Sequence, residues 1–121
     1  MKKYNMGLVI AVITLLVPLF ANAQNLSPIQ QKIAASMAMD SRTDGERERD
    51  ADRDPVNAME FAGLKDDMTV IEFLPAGQAY YTKILGPVLV DNGHLMVVDS
   101  QSTFDSWDES WTADEKYAMT H

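Results

Sequence analysis

The sequence contains no cysteine among its 121 residues. Disulfide bonds are therefore excluded, and the fold has to rely on packing and hydrogen bonding even in an oxidising compartment. A zinc-ligand motif, a P-loop and a Ser-His-Asp arrangement are missing as well. No catalytic residue can therefore be assigned from the sequence.

Positive charge is scarce. Ten Lys and Arg residues stand against 18 Asp and Glu residues, which gives a formal net charge of −8. Nucleic-acid binding depends on Lys and Arg that neutralise phosphates, and adhesion to anionic membranes depends on the same residues. The composition argues against a nucleic acid or an anionic membrane surface as the partner.

Long apolar runs are also absent, apart from residues 7–20. This run is shorter than the roughly 20 residues of a transmembrane helix. Lys2 and Lys3 precede it, and an A-x-A site ending at Ala23 follows it, which is typical of a secretory signal peptide. We predict a signal peptide over residues 1–23, export to the periplasm or medium, and no stable membrane anchor. Without the two lysines the net charge becomes 8 − 18 = −10.

Residues 24–54 are predicted to form an N-terminal helix and a charged linker. The helix begins at Ser27-Pro28, a capping residue followed by proline in the first turn. Its apolar stripe consists of Ile29, Ile33 and Met37. Residues 40–54 are almost wholly polar and favour a solvated loop or an exposed helix face.

The charged run does not predict a metal site. Asp50, Asp52 and Asp54 alternate as at the start of a calcium loop. Such a loop needs glycine at its sixth position and a carboxylate at its twelfth, where this sequence has Pro55 and Phe61.

Two interpretations remain for the arginines of the charged run. Arg49 and Arg53 are close to three aspartates in the sequence, which favours structural ion pairs with them. The alternative is that these arginines help to cover a ligand.

Residues 55–121 are predicted to form one α/β domain. A short helix begins at Pro55, ends with Gly63 in the C′ position, and packs Phe61 against the sheet. Residues 68–74 form a short apolar run that suits a strand buried on both faces of a parallel sheet.

A helix and a second strand complete a βαβ unit. Apolar residues recur at helical spacing from Tyr80 onward, although Gly86-Pro87 would kink or end this helix. The turn at residues 91–93 leads into a second strand at residues 94–98. Parallel strands need such a helical crossover.

A βαβ unit predicts a nucleotide-type site beyond the carboxyl ends of its strands. Glu72 ends the first strand, and the loop Pro75-Ala76-Gly77 lets the backbone approach a ligand. Asp99 ends the second strand 99 − 77 = 22 residues after Gly77, close to the roughly 20 expected of a ribose-binding acid. The alternative is a βαβ unit without a ligand.

Residues 49–99 carry a recognisable pattern. Its residues are Arg49-Asp50, Arg53, Pro55, Phe61-x-Gly63-Leu64-Lys65, Met68-x-Val70, Glu72, Pro75, Gly77 and Tyr81-Thr82-x-Ile84-Leu85. This pattern resembles a proteobacterial family of exported class I S-adenosylmethionine (SAM)-dependent methyltransferases. The sequence departs from the family at Asp67, Ala76 and Gln78, where the family has glycines, and its loop is about one residue longer.

The resemblance implies a Rossmann-like fold, truncated relative to the full methyltransferase sheet and preceded by N-terminal helices. It implies SAM as the cofactor, bound at Glu72, Pro75, Ala76, Gly77 and Asp99, and an unknown methyl acceptor. Because a βαβ unit takes about 30 residues, the seven-stranded sheet of this family does not fit the remaining length, and we expect a shortened form of a longer ancestor. The alternative function is a non-catalytic exported binding or interaction protein derived from that fold. Unprotected sheet edges would favour self-association.

Residues 100–121 are acidic and aromatic. Phe104, Trp107 and Trp111 would share one face of a helix that returns to the sheet. The alternative is a stacking surface for an aromatic ligand.

Overall fold

The computed structural model describes residues 25–113 and the backbone of residues 119–120. In chain order the elements are α1 Pro28–Met37, α2 Asp44–Glu48, α3 Asp50–Arg53, α4 Pro55–Phe61, β1 Thr69–Phe73, α5 Thr82–Leu89, β2 His94–Val98, α6 Gln101–Asp105, α7 Glu109–Thr112 and β3 Met119–Thr120. Among these helices, none has the length and apolar character required to cross a bilayer. The predicted signal peptide, residues 1–23, lies outside the described residues.

The strands form a parallel sheet. β1 pairs with β2 in a register that places Thr69 opposite His94 and Phe73 opposite Val98, and α5 lies between the two strands in the chain. The two-residue strand β3 pairs in parallel with the other side of β2, so the strand order is β1-β2-β3. The prediction of an α/β fold in which a helix connects parallel strands is confirmed.

The hydrophobic core lies between one face of the sheet and the helices. α1 packs on α5, and α5 packs on β2. These three elements contribute five almost completely buried apolar side chains: Ile33, Ile84, Val88, Leu89 and Leu95. The stripe predicted for α1 is therefore the one that faces the core, with Ile29 and Met37 packed at its margin.

The opposite face of the sheet is exposed. Ile71 and Phe73 of β1 retain 51% and 68% of their accessible surface, and their neighbours Met96 and Val98 on β2 are also exposed. The prediction of a strand buried on both faces is therefore wrong. The described helices pack on the face that carries Leu95 and Val97 and leave this second face uncovered.

The helix ends follow the capping signals in the sequence. Ser27 caps α1 in a capping box with Gln30. At the end of α4, Gly63 has φ +80° and the Leu64 N–H donates to the Met59 carbonyl at 3.0 Å, as in a Schellman motif. The predicted packing of Phe61 is wrong, because its side chain is 95% exposed. Phe61 is two residues after the buried Met59, which places it on the opposite side of the helix.

α5 does not end at Pro87 but continues to Leu89. A proline at position 87 offers no N–H to the carbonyl of Lys83. The Ser36 hydroxyl lies 3.3 Å from that oxygen and 2.8 Å from the Ile84 carbonyl oxygen, in a buried position. This contact from α1 supplies a donor where the helix lacks its own.

The charged run is helical over much of its length, in α2 and α3, where a solvated loop or exposed helix face was expected. Glu46 is buried and accepts a hydrogen bond from Lys83 Nζ at 2.8 Å. Arg42 is buried as well. The run is therefore joined to α5 by an ion pair between residues distant in the sequence.

The sequence predicts one helix for the aromatic residues near the C-terminus, whereas the structure has two short helices, with Phe104 on α6 and Trp111 on α7. Trp107 falls between α6 and α7. Its ring centroid lies 5.1 Å from that of Phe104 and 5.1 Å from that of Trp111. The aromatic side chains thus form one cluster, with both tryptophans buried. Residues 114–118 and 121 of the predicted helix lie outside the described residues.

Replacement of Gly93 by alanine should destabilise the fold. An added Cβ would lie 2.6 Å from the Met68 carbonyl oxygen and 2.8 Å from that of Asp66, and the first of these accepts the His94 N–H. Because these are backbone atoms, relieving the clash would distort the backbone. We therefore expect Gly93→Ala to lower the free energy of unfolding by about 1–3 kcal/mol. Urea denaturation measures this change.

Gly45→Ala provides the matched control. Gly45 lies inside α2, and no atom lies within 4 Å of an added Cβ. Alanine there should raise the free energy of unfolding by about 0.5–1 kcal/mol, because glycine is unfavourable inside a helix. An equal loss of stability in both variants would contradict a steric role for Gly93.

Candidate functional site

The candidate site lies at the carboxyl ends of β1 and β2. Glu72 is the penultimate residue of β1, and Asp99 directly follows β2. The two strands are parallel and in register, so both acids lie towards the same edge of the sheet. The loop that contains Pro75, Ala76 and Gly77 begins at this edge.

Asp99 holds this loop against the end of β2. Its Oδ2 accepts the Ala76 N–H at 3.1 Å, while Oδ1 accepts the Ser100 N–H at 2.6 Å and the Thr103 hydroxyl at 2.8 Å. These hydrogen bonds, that from Thr103 foremost, lower the pKa of Asp99. Three of the roughly four acceptor positions of an ionised carboxylate are thus occupied, and the Ser100 side chain also contributes a hydrogen bond to this group.

The loop carries unusual backbone conformations. Leu74, Ala76 and Ala79 have φ values of 55°, 59° and 49°. These are left-handed conformations that disfavour side chains, and each costs on the order of 1–3 kcal/mol. The sequence predicts Gly77 as the flexible position of the loop. In the structure, its neighbour Ala76 has the positive φ and Gly77 does not.

Ala76 is held in this conformation from two sides. Asp99 accepts its N–H, and the indole Nε1 of Trp107 donates to its carbonyl oxygen at 3.1 Å. Strained backbone of this kind persists only where its surroundings determine it, and it concentrates at functional sites.

A cavity of about 600 Å³ opens beside β1 and below the loop. We call it the β1 cavity. Its polar lining comes from Arg49, Arg53, Glu72, Gln78 and Tyr80, and its apolar lining from β1, Pro75, Ala76, Tyr81 and Leu85. Of the predicted site residues, Glu72, Pro75 and Ala76 therefore line this cavity. Gly77 and Asp99 lie outside its lining, although Asp99 is bonded to Ala76.

Glu72 is half-buried at the wall of the β1 cavity. Its Oε2 accepts the hydroxyl hydrogen of Thr82, from the first turn of α5, at 2.6 Å. Burial raises the pKa of Glu72 above its ordinary value of 4.5, although the hydrogen bond from Thr82 opposes the shift.

Two arginines, Arg49 and Arg53, line the same cavity, and their guanidinium groups lie near aromatic rings. That of Arg53 lies 4.5 Å from the ring centroid of Tyr80 and 5.3 Å from that of Tyr81. That of Arg49 lies 5.7 Å from the Tyr80 ring and donates to Gln78 Oε1 at 2.6 Å. These cation–π contacts attach the charged run to the start of α5.

Asp50 fixes the position of this aromatic ring. It accepts hydrogen bonds from Arg42 at 2.9 Å and 2.5 Å and from the Tyr80 hydroxyl at 2.6 Å. Burial, together with the hydrogen bond to Asp50, raises the pKa of Tyr80 to about 12. The phenol is therefore neutral and remains a donor.

The sequence did not indicate the whole of this site. The expected ion pairs of Arg49 and Arg53 are not found among the described residues, where Asp50 pairs with Arg42 instead. The roles of Tyr80 and Arg42 were missed. The four-residue spacing of Arg49 and Arg53, which suits one face of a helix, was the available signal. Among the described residues, no cluster of His, Asp and Glu could hold a metal ion.

Comparison with known proteins adds no relative. No protein-family model matches the chain, and neither a curated protein nor a solved structure matches it. The resemblance to SAM-dependent methyltransferases therefore rests on the sequence pattern of residues 49–99.

Glu72→Gln should change the pH dependence of stability. The folded chain binds the Glu72 proton more tightly than the unfolded chain, because burial raises the folded pKa. Ionised Glu72 therefore lowers stability above its ordinary pKa of 4.5, and the loss is complete above the raised pKa. Glutamine is neutral and keeps an oxygen for Thr82, so the variant should be more stable than wild type at pH 7.

Urea midpoints measured from pH 4 to pH 8 check this expectation. The difference between wild type and variant should vanish as the pH falls below about 4.5. Glu48→Gln, on an exposed side chain, is the control for the charge change. A Glu72→Gln variant less stable than wild type at pH 7 would show that the ionised carboxylate stabilises the fold.

Proposed function

We propose that this chain is an exported protein of the SAM-dependent methyltransferase class that binds SAM at the carboxyl edge of β1 and β2. The observation that carries the proposal is the hydrogen bond from the Ala76 N–H to Asp99. It joins the loop to the end of the second strand beside the β1 cavity. In parallel α/β sheets, ligands bind at this edge. The leader-like residues 1–23 support export.

The residues at this edge suit the parts of SAM. Asp99, at the end of the second strand, would accept a hydrogen bond from one ribose hydroxyl. A Cβ added at Gly77 would meet only the Ser106 hydroxyl, at 3.6 Å, so backbone atoms do not fill the space beside this glycine. The β1 cavity offers charged groups of both signs for the amino-acid end.

The order of the strands also supports a Rossmann-like arrangement. β1, β2 and β3 lie side by side in chain order and run in the same direction. One half of a doubly wound sheet has this order.

When bound, SAM supplies a methyl group on a sulfonium, which is already a good electrophile. The task of the chain is then to hold the donor in one orientation, which contributes to rate through positioning. Asp99 and Ala76 would fix the loop, and Glu72 would contact the donor from β1. We assign no catalytic residue and no methyl acceptor.

Calorimetric titration of the full chain with SAM tests the proposal. Wild type should give saturable heat. Asp99→Ala should weaken binding at least about tenfold, because it removes both a ribose acceptor and the bond that positions Ala76.

Asp108→Ala is the matched control. Asp108 accepts the Ser110 N–H at 2.7 Å at the start of α7, as Asp99 accepts the Ser100 N–H before α6. Asp108 does not line the β1 cavity. Its variant should bind SAM as wild type does. Absence of saturable heat from folded wild type would refute the proposal.

The exposed sheet face favours a second candidate function. Ile71, Phe73, Met96 and Val98 form an apolar surface of the kind that marks interaction sites in soluble proteins. A non-catalytic exported binding protein would use this face and would give no heat with SAM. The same titration therefore separates the two functions.

A further inference from the structure

Arg49 and Arg53 place positive charge in the wall of the β1 cavity of an acidic chain. In the part of the chain that the structure describes, three cations form ion pairs with carboxylates: Lys32, Arg42 and Lys83. Arg49 and Arg53 are not among them. Their charges are therefore available to a ligand in the cavity.

Both guanidinium groups are positioned before any ligand arrives. The Arg53 guanidinium lies 4.5 Å and 5.3 Å from the ring centroids of Tyr80 and Tyr81, and Arg49 donates a hydrogen bond to Gln78. The Tyr80 ring is itself buried and bonded to Asp50. A guanidinium held in this way loses little side-chain entropy when it binds an anion, and its planar fork suits a carboxylate.

Glu72 restricts the kind of anion that the cavity can take. Glu72 lines the same cavity as Arg49 and Arg53. A phosphate with two negative charges would be repelled by Glu72 when that group is ionised. An α-amino acid carries one carboxylate and one ammonium group, which match the arginines and Glu72 respectively.

We propose that Arg49 and Arg53 bind the α-carboxylate of the amino-acid end of SAM, with its ammonium group directed towards Glu72. The inference rests on the proposed function, and it assigns the β1 cavity to the methionine end and Asp99 to the ribose. The charged run of the sequence is then part of the binding site.

The test compares SAM with decarboxylated SAM, which lacks only the carboxylate, in calorimetric titrations of the full chain. Wild type should bind SAM at least about tenfold more tightly, as a charge-assisted hydrogen-bonded contact of this kind requires. The net negative charge of the chain alone would favour decarboxylated SAM, which is the more positive of the two ligands. A preference for SAM would therefore indicate a specific contact with its carboxylate.

Arg49→Gln/Arg53→Gln should remove the preference. The double variant should bind SAM at least about tenfold more weakly than wild type does. It should bind decarboxylated SAM at least as tightly as wild type binds that ligand. Retained binding of the decarboxylated ligand also shows that the variant is folded. Lys65→Gln changes the charge outside the cavity and should keep the preference for SAM.

Three outcomes would overturn the inference, and they are distinguishable. Wild type that binds both ligands equally leaves the proposed function intact and removes the carboxylate contact. A double variant that loses both ligands equally gives the arginines a structural role only. Wild type that binds neither ligand overturns the proposed function together with this inference.

Discussion

The carboxylate of Asp50 connects parts of the chain that are distant in the sequence. It accepts two hydrogen bonds from Arg42 and one from Tyr80, which lies two residues before α5. The hydrogen bonds from Arg42 are the main cause that lowers its pKa. The stabilisation is therefore present above the ordinary aspartate pKa of 3.8 and is lost as the pH falls through the lowered value. The position of Tyr80, and with it that of Arg53, depends on this charge.

The ion pair of Glu46 and Lys83 also connects parts of the chain that are distant in the sequence. Both side chains are more than nine-tenths buried, and the Lys83 ammonium also lies 5.3 Å from the centroid of the Trp111 ring. Loss of one partner would leave an uncompensated buried charge, which costs far more than the pair contributes. The pair therefore makes the arrangement of α2 relative to α5 specific.

The βαβ unit could be predicted from the sequence because its signals are local. β2 has the predicted bounds, β1 lies within the predicted run, and Ser27 and Gly63 stand at the expected helix ends. Each of these features depends on residues within about four positions of each other. The same local logic placed Glu72 and Asp99 at strand ends.

The charged wall of the site could not be predicted in this way. The polar composition of residues 40–54 predicts a solvated segment, whereas Glu46 is buried and pairs with Lys83, 37 positions away in the sequence. The conformation of Ala76 depends likewise on Asp99 and Trp107, which are distant in the sequence. Packing at this range overrides local propensity, as the left-handed alanines beside an ordinary Gly77 illustrate.

The uncovered sheet face has a thermodynamic consequence. Four apolar side chains on it already contact water in the native state, so unfolding hydrates less new apolar surface than it would in a sheet covered on both sides. The heat-capacity increment of unfolding follows newly hydrated apolar area, so these four side chains should contribute less to it than they would in a covered sheet. Any surface that covers these side chains would stabilise the native fold by mass action.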